Sequence, residues 1–127
     1  MPGNTTIYSI PRIISDYIVN GSTTNGTYTT IGKLIFGGIN NWGLISKINV
    51  LSYVESGATY GVRIYDTTNS LVIAEILNQS NASVAIVDLG VISNLSDTQA
   101  IWEAQIKRMS GAASKNVFLD TLSMEIV

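Results

Sequence analysis

From Tyr28 onward the chain falls into short apolar-rich runs, interrupted at intervals of roughly eight to twelve residues by clusters of turn-forming residues, the rhythm of a sandwich or barrel. The predicted strands are Tyr28 to Phe36, Leu44 to Val54, Thr59 to Tyr65, Leu71 to Leu77, Ser83 to Leu89, Ala100 to Arg108 and Asn116 to Ile126. Between them lie GGINNWG, ESGA, DTTNS, NQSN, SNLSDTQ and SGAAS, all rich in residues that accept turn geometry. No segment keeps a helical apolar period over three turns.

Successive side chains on a strand point to opposite faces, so each run divides into two sets. Tyr60, Val62 and Ile64 share one face, with Arg63 and Tyr65 on the other; Ala100, Trp102, Ala104 and Ile106 share a face opposite Ile101, Glu103 and Gln105. Alternation across the last strand puts Phe118, Asp120, Leu122, Met124 and Ile126 together, against Val117, Leu119, Thr121, Ser123 and Glu125. Two sheets packed through apolar inner faces satisfy these patterns, and the predicted class is an all-β antiparallel sandwich.

The first 26 residues read differently. IYSIPRIISDYIV is apolar but broken by Pro11, and it runs into NGSTTNGT, a composition typical of a flexible connector. The segment is either an added strand of its own sheet or an arm laid on a neighbouring subunit, and the Gly/Asn-rich break favours the arm. The expected division is therefore residues 1–26 as N-terminal arm and linker and residues 27–127 as the sandwich. Ile7, Tyr8, Ile10, Ile13, Ile14, Tyr17 and Ile18 are the arm's contact residues, and removal of residues 1–24 is expected to leave the fold intact.

Composition narrows the chemistry. Apolar residues make up 46% of the 127 residues but charged ones only 13%, about half the usual share, so the surface is covered by Asn, Ser, Thr and Gly or by other protein. The formal net charge is −2 and the basic residues are scattered, which argues against nucleic acid or an anionic membrane as partner. With no Cys and no His, disulfides, thiolate nucleophiles and imidazole general bases are excluded. MPGNTTIYSIPRII lacks the pattern of a secretory signal, so the six Asn-x-Ser/Thr sequons at Asn4, Asn20, Asn25, Asn78, Asn81 and Asn94 read as products of an Asn/Ser/Thr-rich surface.

Few residues invite a site. Arg63 projects from a strand and needs a carboxylate; a structural ion pair with Glu103, or with Glu75, is the favoured reading. The functional alternative has Arg63, Asp66, Glu75 and Glu103 lining a concave sheet face that holds a sugar or a metal. Carboxylate hydrolysis needs two acids facing across a cleft, and Asp66, Asp88, Asp97, Glu75 and Glu103 offer many combinations with none selected. No acidic loop dense enough for calcium occurs. Trp42, in the loop INNWGL, is the candidate ligand or interface aromatic, with Tyr28 and Tyr53 as companions if carbohydrate is bound; Trp102 is assigned to the core. Neither catalytic residues nor a cofactor are expected.

The stretches KINVLSYVESGATYGVRIYDTTNSLVIAEI, VDLGVISNLSDTQAIWEAQIKR and VFLDTLSMEIV, covering about residues 44 to 127, resemble the jelly-roll β-sandwich domains of tailed-phage virion proteins, particularly capsid decoration (cement) proteins and fibre or tail adhesins. The resemblance lies in rhythm and in the segments YGVRIYDTTN and AIWEAQIK, and carries over no functional residue. It implies a non-enzymatic virion protein on the outer capsid surface, a homotrimer whose N-terminal arm contacts the major capsid protein or another virion protein. The alternative it implies is a receptor-binding fibre head or carbohydrate-binding module with Trp42 as anchor.

Overall fold

A computed structural model describes residues 12–126, as eight strands and one helical turn. The strands are β1 (Arg12–Thr23), β2 (Thr29–Phe36), β3 (Ile45–Val54), β4 (Thr59–Asp66), β5 (Leu71–Gln79), β6 (Ala85–Asp88), β7 (Ala100–Ser110) and β8 (Val117–Ile126), with α1 (Ile39–Trp42) between β2 and β3. They form two four-stranded antiparallel sheets, ordered β1-β8-β3-β6 and β2-β7-β4-β5. Consecutive strands alternate between the sheets from β1 to β4 and from β5 to β8, which is the double Greek key of a jelly roll. The expected all-β antiparallel sandwich is what forms.

All seven predicted strands are present, β6 shorter than expected. The N-terminal segment needs correction. Arg12–Thr23 is not an arm but the edge strand of its own sheet, paired with β8 from Arg12↔Ile126 to Thr23↔Val117. Ile13, Ile14, Tyr17 and Ile18 therefore sit at register positions opposite Glu125, Met124, Leu122 and Thr121. Tyr17 and Val19 pack against the core together with Ile31 of β2. The remaining arm contacts, Ile7, Tyr8 and Ile10, lie outside the described residues.

Strict alternation also fails in β8, for a reason visible in the register. Leu51 pairs with Thr121 but Ser52 pairs with Leu119, which leaves Asp120 as an extra residue. Such a bulge shifts the side-chain phase by one. Val117 and Leu119 consequently face inward with Leu122, Met124 and Ile126, whereas Phe118 turns outward and stacks on Tyr53 at 4.5 Å. A second bulge in β5 buries two consecutive residues, Ile73 and Ala74.

The core is built where the inner faces meet. Trp102 is fully buried and stacks on Phe36 with ring centroids 4.4 Å apart. One polar network is buried with it: the Tyr60 hydroxyl donates to Asn81 Oδ1 at 2.8 Å, Ser52 Oγ lies 2.8 Å from the same hydroxyl, and Asn81 Nδ2 donates to the Ser52 carbonyl at 2.7 Å. These bonds tie β3 and β4 to the β5–β6 connection, and full pairing makes their burial tolerable. Residues 89–99 cover the outer edge of β5, where the Ser93 N–H and the Asn94 side-chain amide donate to the carbonyls of Ile73 and Val72, both at 2.9 Å.

Candidate functional site

The two outer sheet faces differ in chemistry. On β2-β7-β4-β5, Tyr28 stands just before β2 and its side chain lies across the sheet, its hydroxyl donating 2.6 Å to Glu75 Oε2 on β5. The path crosses β4 at Gly61, where a Cβ would come within 3.2 Å of the Tyr28 hydroxyl and 3.0 Å of Leu77. Glycine in mid-strand thus clears the way for the tyrosine.

Arg63, the next outward residue of β4, is not salt-bridged to Glu103. Its Nε donates to Gln105 Oε1 at 2.6 Å, and Gln105 Nε2 in turn donates to Glu103 Oε1 at 2.8 Å. The cation within ion-pair reach of Glu103 is Lys33, at 3.8 Å, while Thr30 donates its hydroxyl to Glu103 at 2.6 Å. The cross-strand register explains the substitution: Lys33 sits opposite Glu103, whereas Arg63 sits opposite Gln105 and Glu75. The Arg63 guanidinium packs between aromatic rings, 4.1 Å from the Tyr28 centroid and 4.8 Å from that of Tyr65. Lys107 Nζ lies 4.5 Å from the same Tyr28 ring. Two cations therefore share one aromatic platform.

The environment shifts two groups of this face. The Thr30 hydrogen bond, supported by Gln105 and by Lys33 and Arg63, holds the Glu103 carboxyl below its ordinary value against partial burial. What Glu103 contributes to stability is present above the ordinary glutamate range and is lost as pH falls through the lowered value. Burial, then the hydrogen bond and charge of Glu75, push the Tyr28 hydroxyl far above the ordinary tyrosine value, and burial raises Tyr60 as well. Because the folded values are raised, the linked stability is fully present below pH about 10 and is lost as pH rises beyond it. An alkaline titration that follows the Tyr28 and Tyr60 rings by NMR should show both hydroxyls still protonated well above the ordinary tyrosine value for as long as the fold persists. Ionisation of Tyr28 and Tyr60 near pH 10 in the folded protein would refute this assignment.

Asp66 does not reach this face. It is fully buried and accepts from the Asn69 backbone N–H at 2.9 Å and the Asn69 side-chain amide at 2.8 Å, closing the DTTNS turn as the sequence suggests. Of the other acids, Asp88 accepts from the Gly90 N–H at 2.8 Å, which fixes a turn after β6.

Trp42 is not an exposed anchor. As the last residue of α1 it is half-buried over Gly37 and meets the Phe36 ring edge-on at 5.5 Å. Its role there is to extend the Trp102–Phe36 stack to the end of the sandwich.

The outer face of β1-β8-β3-β6 carries an apolar strip, flanked by Asp88 on β6 and Asp120 on β8. Leu51 pairs with Ile86 on the edge strand β6; Ile86 is 74% exposed, with Val84 beside it. Asn49, Leu51, Ile86, Thr121 and Ser123 line a shallow groove of about 300 Å³, and the Tyr53–Phe118 stack continues the strip. An ion pair, Lys47 to Glu125 at 4.0 Å, lies towards the Ile126 end of the sheet.

No family model and no curated protein matches this chain. Solved structures do. The infectious bursal disease virus VP2 subviral particle superposes with a TM-score of 0.57 at 9% identity, over 91% of this chain and 32% of the viral one. The structure of the Gx strain of the same virus gives a TM-score of 0.55 at 10% identity, over 99% of this chain and 36% of that one. The chain thus spans about a third of the length of these neighbours. At such identity the likeness establishes the fold alone: the jelly-roll β-sandwich found in a viral capsid protein.

Proposed function

We propose that this chain is a non-enzymatic structural component of a virion, a decoration or cement protein that binds the outer surface of a capsid as a homotrimer. The observation that carries the reading is the apolar strip of exposed Ile86 with half-buried Leu51, Tyr53 and Phe118 on an outer sheet face. Exposed apolar patches of this kind mark contact with other protein. A chain poor in charge and without disulfides then gains stability by burial between subunits, and several copies clamping neighbouring capsid proteins add modest contacts through multivalency. The fold shared with capsid proteins is consistent with that role.

With Arg12–Thr23 committed to the sheet, capsid contact falls to residues 1–11, which carry Ile7, Tyr8 and Ile10. The test is co-sedimentation with capsids together with mass by light scattering. Full-length protein is expected as a trimer that binds. The form lacking residues 1–11 is expected to remain a trimer and lose binding, whereas Ile86→Lys is expected to break the trimer. Undiminished binding by the shortened form sinks the assignment of those residues, and a monomeric full-length protein sinks the trimer.

A recognition module is the second reading. What favours it is the cation–aromatic cluster around Tyr28, not Trp42.

A further inference from the structure

We propose that the outer face around Tyr28 binds a sugar acid, a saccharide unit carrying one carboxylate, with the carboxylate seated on Arg63 and Lys107. The inference deepens the recognition reading and rests on it.

Arg63 has unused donors. Of the five N–H groups of the Arg63 guanidinium, only that on Nε has a protein acceptor among the described residues, Gln105 Oε1 at 2.6 Å. The guanidinium carbon lies 4.1 Å from the Tyr28 ring centroid and 4.8 Å from that of Tyr65, which holds the group in place against the sheet. A planar fork held in place is what a carboxylate engages in bidentate fashion. Lys107, on the neighbouring strand and over the same Tyr28 ring, makes no ion pair among the described residues. Two cations with unused donors thus lie against one aromatic ring.

The flanking acids select the rest of the ligand. Glu75 is exposed on β5 with one oxygen occupied by Tyr28, and Glu103 lies on β7 with Oε1 occupied by Thr30 and Gln105. A polyanion such as nucleic acid, or a run of acidic side chains, would bring further negative charge against these carboxylates. A ligand with a single anionic group on a frame of neutral hydroxyls meets both demands: the anion goes to the cations and hydroxyls donate to the remaining glutamate oxygens. The half-buried rings of Tyr28 and Tyr65 leave part of their surface open to an apolar sugar face, which packs on aromatic surface.

The test is NMR titration of the full chain, reading the Arg63 Nε–H and the Tyr28 ring, with methyl glucuronide and a methyl sialoside as probes. The expected result is a saturable shift with a millimolar Kd, absent for the neutral methyl esters, weakened about tenfold in Lys107→Gln and abolished in Arg63→Gln. Lys107 is a half-exposed side chain without a structural bond, so its variant keeps the experiment decisive if Arg63→Gln disturbs the sheet. Failure to saturate by about 50 mM overturns the proposal. It is equally overturned if acetate or inorganic sulfate shifts the same resonances as strongly, which would mark a generic anion site, or if a penta-glutamate peptide binds more tightly. None of these outcomes touches capsid binding, which the shortened form tests separately.

Discussion

Deleting residues 1–24 is expected to unfold the sandwich, while deleting residues 1–11 shifts its melting temperature by no more than about 3 °C. The difference is β1. It covers the whole length of β8, so its removal turns a central strand into an edge and leaves a row of β8 backbone groups unpaired. It also strips the half-buried Tyr17 and Val19 from the flank of the core, a loss on the order of 2 kcal/mol from apolar burial alone. A domain of this size is stable by only about 5–15 kcal/mol, so with the β8 pairing lost as well, little or no folded population should remain. Circular dichroism melts and gel filtration of the two shortened chains read this directly. A cooperative melt near the full-length temperature in the chain lacking residues 1–24 would mean that β1 contributes almost nothing to its sheet.

Gly38→Ala should cost about 4 kcal/mol. Gly38 has φ 89° and ψ 152°, a region that residues with a Cβ essentially do not occupy. The added methyl would also sit 2.6 Å from the Asp97 carbonyl oxygen and the Thr98 carbonyl carbon, both backbone atoms that a rotamer change cannot move. Relief requires separating α1 from the 96–98 segment, and with it the bonds from the Ile39 N–H to the Ser96 carbonyl at 2.9 Å and from the Asn40 N–H to the Asp97 carbonyl at 3.1 Å. Trp42 then loses its seat over Phe36. Gly57→Ala is the control, because Gly57 also has positive φ, 93°, but nothing lies within 4 Å of its added methyl. Its cost should be only the backbone strain, about 1–2 kcal/mol. Equal denaturant midpoints for the two variants would show that the contact with residues 97–98 is not formed.

The sandwich was legible because its signals are local: period-two runs and turn clusters mark strand positions without any knowledge of partners. Three features were hidden because they depend on pairing. The β8 bulge at Asp120 places Phe118 outside, and nothing in VFLDTLSMEI announces where the phase slips. The fate of Arg12–Thr23 turns on whether β8 offers a free edge, a property of the sheet and not of the segment. Alternation separated Arg63 from Tyr60, Val62 and Ile64, but its partner depended on register. A Lys opposite Glu103 and a Gln opposite Arg63 converted the expected ion pair into a relay. Gly61 was the overlooked clue, since a glycine inside TYGVRIY signals that another group must pass close to the strand.

The pairing of β1 with β8 has a kinetic side. Arg12 meets Ile126, so the sheet is closed by the contacts of greatest sequence separation among the described residues. Closing so long a loop is entropically costly, and folds rich in such contacts are slow. Among the described strands β1 is synthesised well before β8, so it must wait for its partner, and until β8 arrives it is an unpaired strand. In an assembly built from many identical copies, that interval is when β1 of one chain can close the sheet of another.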